Sequence, residues 1–234
     1  MLDTQFPRPA GDLGNRNSFP GIPIKLARVT GAMARQVIES DPQQGLANLF
    51  PRFLEQARRL QEEGALGITT SCGFLTPMQA WLKSEIDIPV AVSSLQQVPW
   101  VNGLLPKGKR CAVITIDKDA LSSEHLVAVN VPSDTLVLGM PKQGAFAEMI
   151  LRHHETGEVA PLAGCDQKRR TLIQNELLRT CAQLPSNIGA LVLECTNLPP
   201  YRRLLQEQLR LPIFDIQTLV QWFWTGLRSR DTPL

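Results

Sequence analysis

The chain carries two copies of one local pattern, and this repetition limits its fold more than any other feature. Residues 66–77 read LGITTSCGFLTP and residues 191–201 read LVLECTNLPPY. In each, an apolar run ends in a cysteine, Cys72 or Cys195. A proline follows five residues later (Pro77, Pro200) and another seventeen residues later (Pro89, Pro212). The second proline opens a new apolar run, VAVSS or IFDI, and GAL stands upstream of each cysteine, at 64–66 and 189–191. We read a duplicated strand-turn-helix-strand unit with one cysteine per copy.

The rest of the chain fits an α/β reading. Apolar strand-like runs at 66–71, 90–94, 110–116, 134–140, 190–194 and 212–216 alternate with helical patterns, which predicts mainly parallel sheets with helices on their faces. From 42 to 63, Leu46, Leu49, Phe50, Phe53, Leu54, Ala57 and Leu60 share one helical side; Gly64 ends the pattern and Pro51 is a candidate break. Further helices are expected near 143–154 and 168–183, from about Pro199, and over TLVQWFWTGLRS, which can return to cover the first unit with Trp222 and Trp224 as packing residues. Thr76 is a plausible N-cap, with Pro77 at the first helical position. MLDT reads as the tail of a first strand, either short or preceded by residues upstream of Met1. A domain boundary is placed near Pro99, giving a first domain of 1–98 plus 217–234 and a second of 99–216.

Composition excludes several functions. With 234 residues, 43% of them hydrophobic, the chain can bury a substantial core. Its 24 basic and 22 acidic residues leave a net charge of +2, so no electrostatic footprint for nucleic acid or a membrane surface is present. No apolar run approaches the roughly 20 residues of a membrane span, and the start lacks the pattern of a secretion signal, so the expected location is the cytoplasm. Five cysteines without regular spacing do not form a disulfide framework. Neither a G-x-G-x-x-G nor a P-loop motif occurs.

In open α/β sheets ligands sit beyond the carboxyl ends of strands, where loops enter helix N-termini. Cys72 and Cys195 both occupy such corners. A helix N-terminus favours negative charge, so each corner is expected to raise the thiolate fraction of a group whose unperturbed pKa is about 8.5. Two such stations facing each other suit inversion of a stereocentre, in which one group removes a proton from one face of a carbon and the other delivers a proton to the opposite face.

TTSCGFLTP and LECTNLPPY resemble the paired cysteine motifs of the cofactor-independent aspartate/glutamate racemase superfamily, which includes hydantoin racemases, maleate isomerases and arylmalonate decarboxylases. MLDTQFPRPAGDLGN is similar to the N-terminal substrate loop of one branch. The resemblance implies two pseudo-symmetric α/β domains with the active site in the cleft between them, no cofactor or metal, and a small carboxylate as substrate; a homo-oligomer is compatible with it. Carried over by position, Cys72 and Cys195 are the catalytic thiols. Thr70, Ser71, Gly73 and Phe74 beside the first, and Thr196 and Asn197 beside the second, are expected to bind substrate. From the N-terminal loop Arg8, Asp12 and Asn15 join them, Arg8 as partner of a second substrate carboxylate. Glutamate racemases resemble CNT and CTH at these cysteines, whereas this chain has SCGF and CTNL, with Asn197 where those enzymes have a histidine. Asn cannot relay protons at neutral pH, which argues against glutamate itself.

The preferred reading is an amino-acid racemase. The alternatives are a hydantoin racemase or a lyase of the arylmalonate decarboxylase type, which needs one thiol, and a non-enzymatic carboxylate-binding or thiol-redox protein, although no Cys-x-x-Cys motif supports redox chemistry. Cys111 and Cys181 are expected in the core, Cys165 as an incidental exposed thiol, and His153 and His154 at a solvated helix end.

Overall fold

The computed structural model describes residues 1–4, 8–151 and 167–228. Its first unit starts with extended chain: Val29 N donates to Met1 O and Asp3 N to Ala32 O, both at 2.9 Å, so MLDT runs beside 27–32 without entering a sheet ladder. Helices α1 (Ala34–Glu39) and α2 (Gln44–Glu62) follow. Leu46, Leu49, Phe53 and Ala57 form the buried stripe of α2. Pro51 lies on its exposed side without interrupting it, and Gly64, at φ +88°, turns the chain out of the helix.

Strand β1 (Ile68–Thr69), helix α3 (Met78–Glu85) and strand β2 (Val90–Ala91) make the first copy of the repeat. Helix α4 (Gln97–Leu104) leads to β3 (Arg110–Thr115), α5 (Ser123–Val127), β4 (Leu136–Gly139), α6 (Ala145–Leu151) and α7 (Gln167–Cys181). The second copy is β5 (Ile188–Leu193), α8 (Arg202–Leu209) and β6 (Ile213–Phe214), and α9 (Ile216–Leu227) closes the described chain. Both repeats pair in parallel with the same spacing. Ile68 faces Val90 and Leu191 faces Ile213, each 22 residues on, and each cysteine stands four residues past the first partner. The second sheet has the order β4-β3-β5-β6, all parallel. Helices cover both its faces, which is why β3 and β5 are nearly continuous apolar runs.

One apolar cluster runs through both units, from Leu46 and Phe74 to Ile114, Leu177 and Leu193, and buries Cys111 and Cys181 as expected. A smaller one lies under α9, where Leu219 and Val220 meet Leu13, Phe19 and Ala91. The returning helix therefore covers the first sheet, but Trp222 does not pack into it. Its side chain is 58% exposed, with its ring 5.9 Å from that of the half-exposed Trp100. Pro99, near which the domain boundary is placed, lies in α4; proline fits the first turn of a helix, whose N–H groups have no partner within it. Cys165, His153 and His154 lie outside the described residues. Among the described residues no helix is long and apolar enough to cross a membrane.

Asp215 starts α9. Fully buried, it accepts hydrogen bonds from Gln217 N at 2.9 Å and Thr218 N at 3.0 Å, and Arg202 Nη1 lies 3.3 Å from both its oxygens. Asp215→Ala leaves those donors unsatisfied and is expected to cost about 1–2 kcal/mol in denaturant unfolding, most of it recovered by Asp215→Asn.

Candidate active site

Each cysteine lies just past the end of a strand, Cys72 after β1 and Cys195 after β5, at the mouth of a tight turn. Cys72 is extended (φ −153°, ψ 123°) and leads into a single 3-10 turn, Gly73–Leu75, before α3. Thr70 closes this corner, its Oγ1 lying 2.6 Å from Val92 O and 3.0 Å from Cys72 O. Thr76 is not an N-cap: it has helical dihedrals, and its buried hydroxyl has no partner. In the second copy Leu198 N donates to Cys195 O at 3.0 Å, and a 3-10 turn, Pro199–Tyr201, precedes α8. The turns are joined directly. Thr196 Oγ1 donates to Ser71 O at 2.7 Å, and Ser94 Oγ donates to Leu193 O at 2.6 Å.

Between the turns is a cavity of about 20 Å³, lined by both cysteines together with Arg8, Phe74, Glu194 and Asn197; Ser71, Gly73 and Thr196 also border it. That volume holds about one water, so a substrate needs the walls to separate. Three sequence candidates stand outside the lining. Asp12, fully buried, accepts from Arg8 Nη1 at 2.9 Å and from Gly14 N at 2.7 Å, and it also accepts a hydrogen bond from Asn197 Nδ2. Asn15 caps its own turn and donates to Arg8 O at 2.8 Å. Thr70 serves the corner as described. Asp12 therefore fixes Arg8 and Asn197 from behind. The Oδ1 of Asn197 lies 3.6 Å from Cys195 Sγ, which orients the thiol proton rather than relaying it.

The thiols are not the activated groups that helix N-termini alone suggest. Burial pushes Cys72 well above the ordinary thiol range, and the negative charge of Glu194 adds to this; the Phe74 backbone N–H and Arg8 oppose it. Cys195 is raised for the same two leading reasons, against the Asn197 backbone N–H, with Cys72 and Asp12 adding to the rise. Desolvation of the charged form outweighs the turn N–H groups.

Glu194 is the site residue the sequence reading missed. It is 1% exposed, and burial pushes its carboxyl up to about 7, opposed by a hydrogen bond from Thr115 Oγ1 to Oε2 at 2.7 Å. Its other oxygen, Oε1, has no partner. Gly73 makes room for it: a Cβ at position 73 would stand 2.0 Å from Oε1. A signal was present in the repeat, because the residues flanking the two cysteines differ in a complementary way. Ser71 and Gly73 flank one, and the larger Glu194 and Thr196 flank the other.

Among the described residues no group of three His, Cys, Asp or Glu side chains is arranged to hold a metal ion. A larger apolar groove of about 520 Å³, between residues 22–27, residues 63–69 and α9, contains neither cysteine.

No family model matches the chain. It is 25% identical to dimethylsulfoniopropionate lyase 7 of Emiliania huxleyi over 99% of its own length, and it spans 66% of that protein. Unliganded arylmalonate decarboxylase superposes with a TM-score of 0.56 at 16% identity, covering 96% of this chain and 91% of the other. Glutamate racemase from Aquifex pyrophilus gives 0.53 at 16% identity, covering 84% and 70%. The chain thus has the α/β fold, with parallel sheets flanked by helices, that these racemases and decarboxylases share.

Proposed function

We propose that this chain is a cofactor-independent enzyme that moves protons at the carbon next to a carboxylate. The observation that carries this reading is the position of two thiols, from equivalent corners of a repeated unit, on one buried cavity. In the preferred reaction one thiolate removes the α-proton from one face of the carbon and the other thiol delivers a proton to the opposite face, inverting the centre. The thiols exchange roles in the reverse direction. Arg8, held by Asp12, supplies positive charge for a substrate carboxylate, and Phe74 gives the cavity an apolar wall. An amino acid or a related small carboxylate is the substrate class.

A second reading is favoured by the curated lyases to which the chain is similar. Here one thiolate removes a proton α to the carboxylate of a 3-sulfoniopropionate. The C–H electron pair forms the new carbon–carbon double bond, the carbon–sulfur bond breaks, and a neutral sulfide leaves with the sulfur pair. Only one thiol is required as base.

One labelling experiment separates the readings. In deuterium oxide, the protein is given single-enantiomer amino acids and hydantoins, substituted malonates and dimethylsulfoniopropionate. The expected result is α-deuteration of at least one chiral compound with loss of optical rotation. Release of dimethyl sulfide with acrylate establishes the lyase, and carbon dioxide release a decarboxylase. Carboxylate binding without turnover of any compound refutes an enzyme of this kind.

A further inference from the structure

We propose that Glu194 is a substrate-binding acid: as a neutral carboxylic acid it donates a hydrogen bond from Oε1 to the carboxylate of the bound substrate, so that anion binding takes up one proton. This rests on the proposed function for the substrate class, and it assigns a task to a residue that the two-thiol reaction leaves unused.

The geometry supplies the socket. Glu194 closes the β5 end of the cavity, Thr115 occupies one of its oxygens, and the other is buried without a partner. The absence of a side chain at Gly73 leaves Oε1 its place on the wall shared with Cys72. A buried polar atom of this kind is costly while unsatisfied, and a ligand that pairs with it recovers that cost.

Charge decides which partner fits. The ionisable groups lining the cavity with Glu194 are Cys72, Cys195 and Arg8, with Asp12 behind Arg8 and Asn197. An entering carboxylate adds a second anion beside Glu194, and two adjacent carboxylates in a desolvated site do not both stay ionised. Burial already brings Glu194 up to about 7, so a nearby anion drives it to the neutral acid. The neutral acid no longer opposes ionisation of Cys72 and Cys195, both of which its charge raises. The substrate carboxylate brings one negative charge in its place, so the proton uptake leaves the net charge of the cavity unchanged on binding. As the α-proton leaves, negative charge grows on the carboxylate oxygens and the hydrogen bond from Glu194 strengthens.

The sign follows from linkage. The ligand binds the protonated form, so affinity is constant below the pKa of free Glu194 and falls about tenfold per pH unit above it. Calorimetric titration of propionate, malonate and the two glutamate enantiomers, in two buffers of different ionisation enthalpy, counts the protons taken up. Near pH 8 the wild-type protein is expected to take up close to one proton per carboxylate bound. Glu194→Gln keeps a neutral donor of the same shape, and is expected to bind with no uptake and no dependence on pH between 6 and 9. Thr115→Val removes the bond that favours the ionised form, and moves the break in affinity to higher pH. Carboxyl 13C resonances titrated with and without malonate give the charge state of Glu194 directly, assigned by their loss in Glu194→Gln. Absence of binding by all four probes, binding without proton uptake, or a Glu194→Gln profile that matches wild type each overturns the inference. Proton-linked binding without turnover supports it while refuting the enzymatic reading, so the two fail separately.

Discussion

Cys72→Ala and Cys195→Ala are each expected to lower racemisation of a turned-over substrate by about 10³-fold or more, with little change in stability. The size follows from the loss of a positioned acid or base in a reaction that needs one on each face of the carbon. Both sulfurs border the cavity, so alanine at either position enlarges it without exposing core. Each variant is expected to behave differently toward isotope. A protein with one remaining thiol can still exchange the α-proton on its own face with solvent, giving deuterated substrate of retained configuration. Measuring deuterium content and optical rotation together therefore tests the two-sided arrangement itself. Equal loss of exchange and inversion for both enantiomers counts against it, and a lyase reaction that survives one of the two substitutions points to a single base.

Gly73→Ala is expected to be the most damaging single-methyl change at the site. The new Cβ would meet Glu194 Oε1 at 2.0 Å, and Glu194 has little room to retreat. Its backbone N donates to Ile114 O at 2.8 Å, and Thr115 holds its other carboxyl oxygen. Overpacking of this kind costs about 1–3 kcal/mol, and here it displaces a polar group from its socket as well. Urea unfolding should show that loss, and turnover should fall with it. The double variant Gly73→Ala with Glu194→Ser relieves the contact. It is expected to regain most of the stability while remaining defective in carboxylate binding, a coupling that a two-variant cycle measures. Additive stability losses would show that the two positions do not press on each other.

Much of the frame was legible in the chain. The prolines placed five and seventeen residues after each cysteine predict the repeated unit, and the observed parallel pairs share one 22-residue offset. Helix α2 followed its apolar stripe despite Pro51. Helix α4 was not foreseen, since Pro99 and Gly103 are weak helix formers, although a first-turn proline is no obstacle. Thr76 looked like a cap by type, but the chain turns helical before it, so its hydroxyl has no free N–H to receive. The candidate site was legible to the level of two cysteines and their neighbours. Asn15 and Asp12 instead hold the residues around the cavity: their bonds to Arg8 are local, whereas the Asp12–Asn197 bond joins residues 185 positions apart, a pairing that no local pattern displays.

The sequence by itself determined the local units: spacing fixes where a strand must end, where a turn can form and where proline can start a helix, since backbone geometry acts over a few residues. Only the tertiary structure decided that the two corners meet, through the Thr196–Ser71 and Ser94–Leu193 bonds between residues 125 and 99 positions apart. It also reversed the expected charge of the thiols and placed Glu194 among them. Both outcomes come from desolvation by distant segments, which no local pattern encodes.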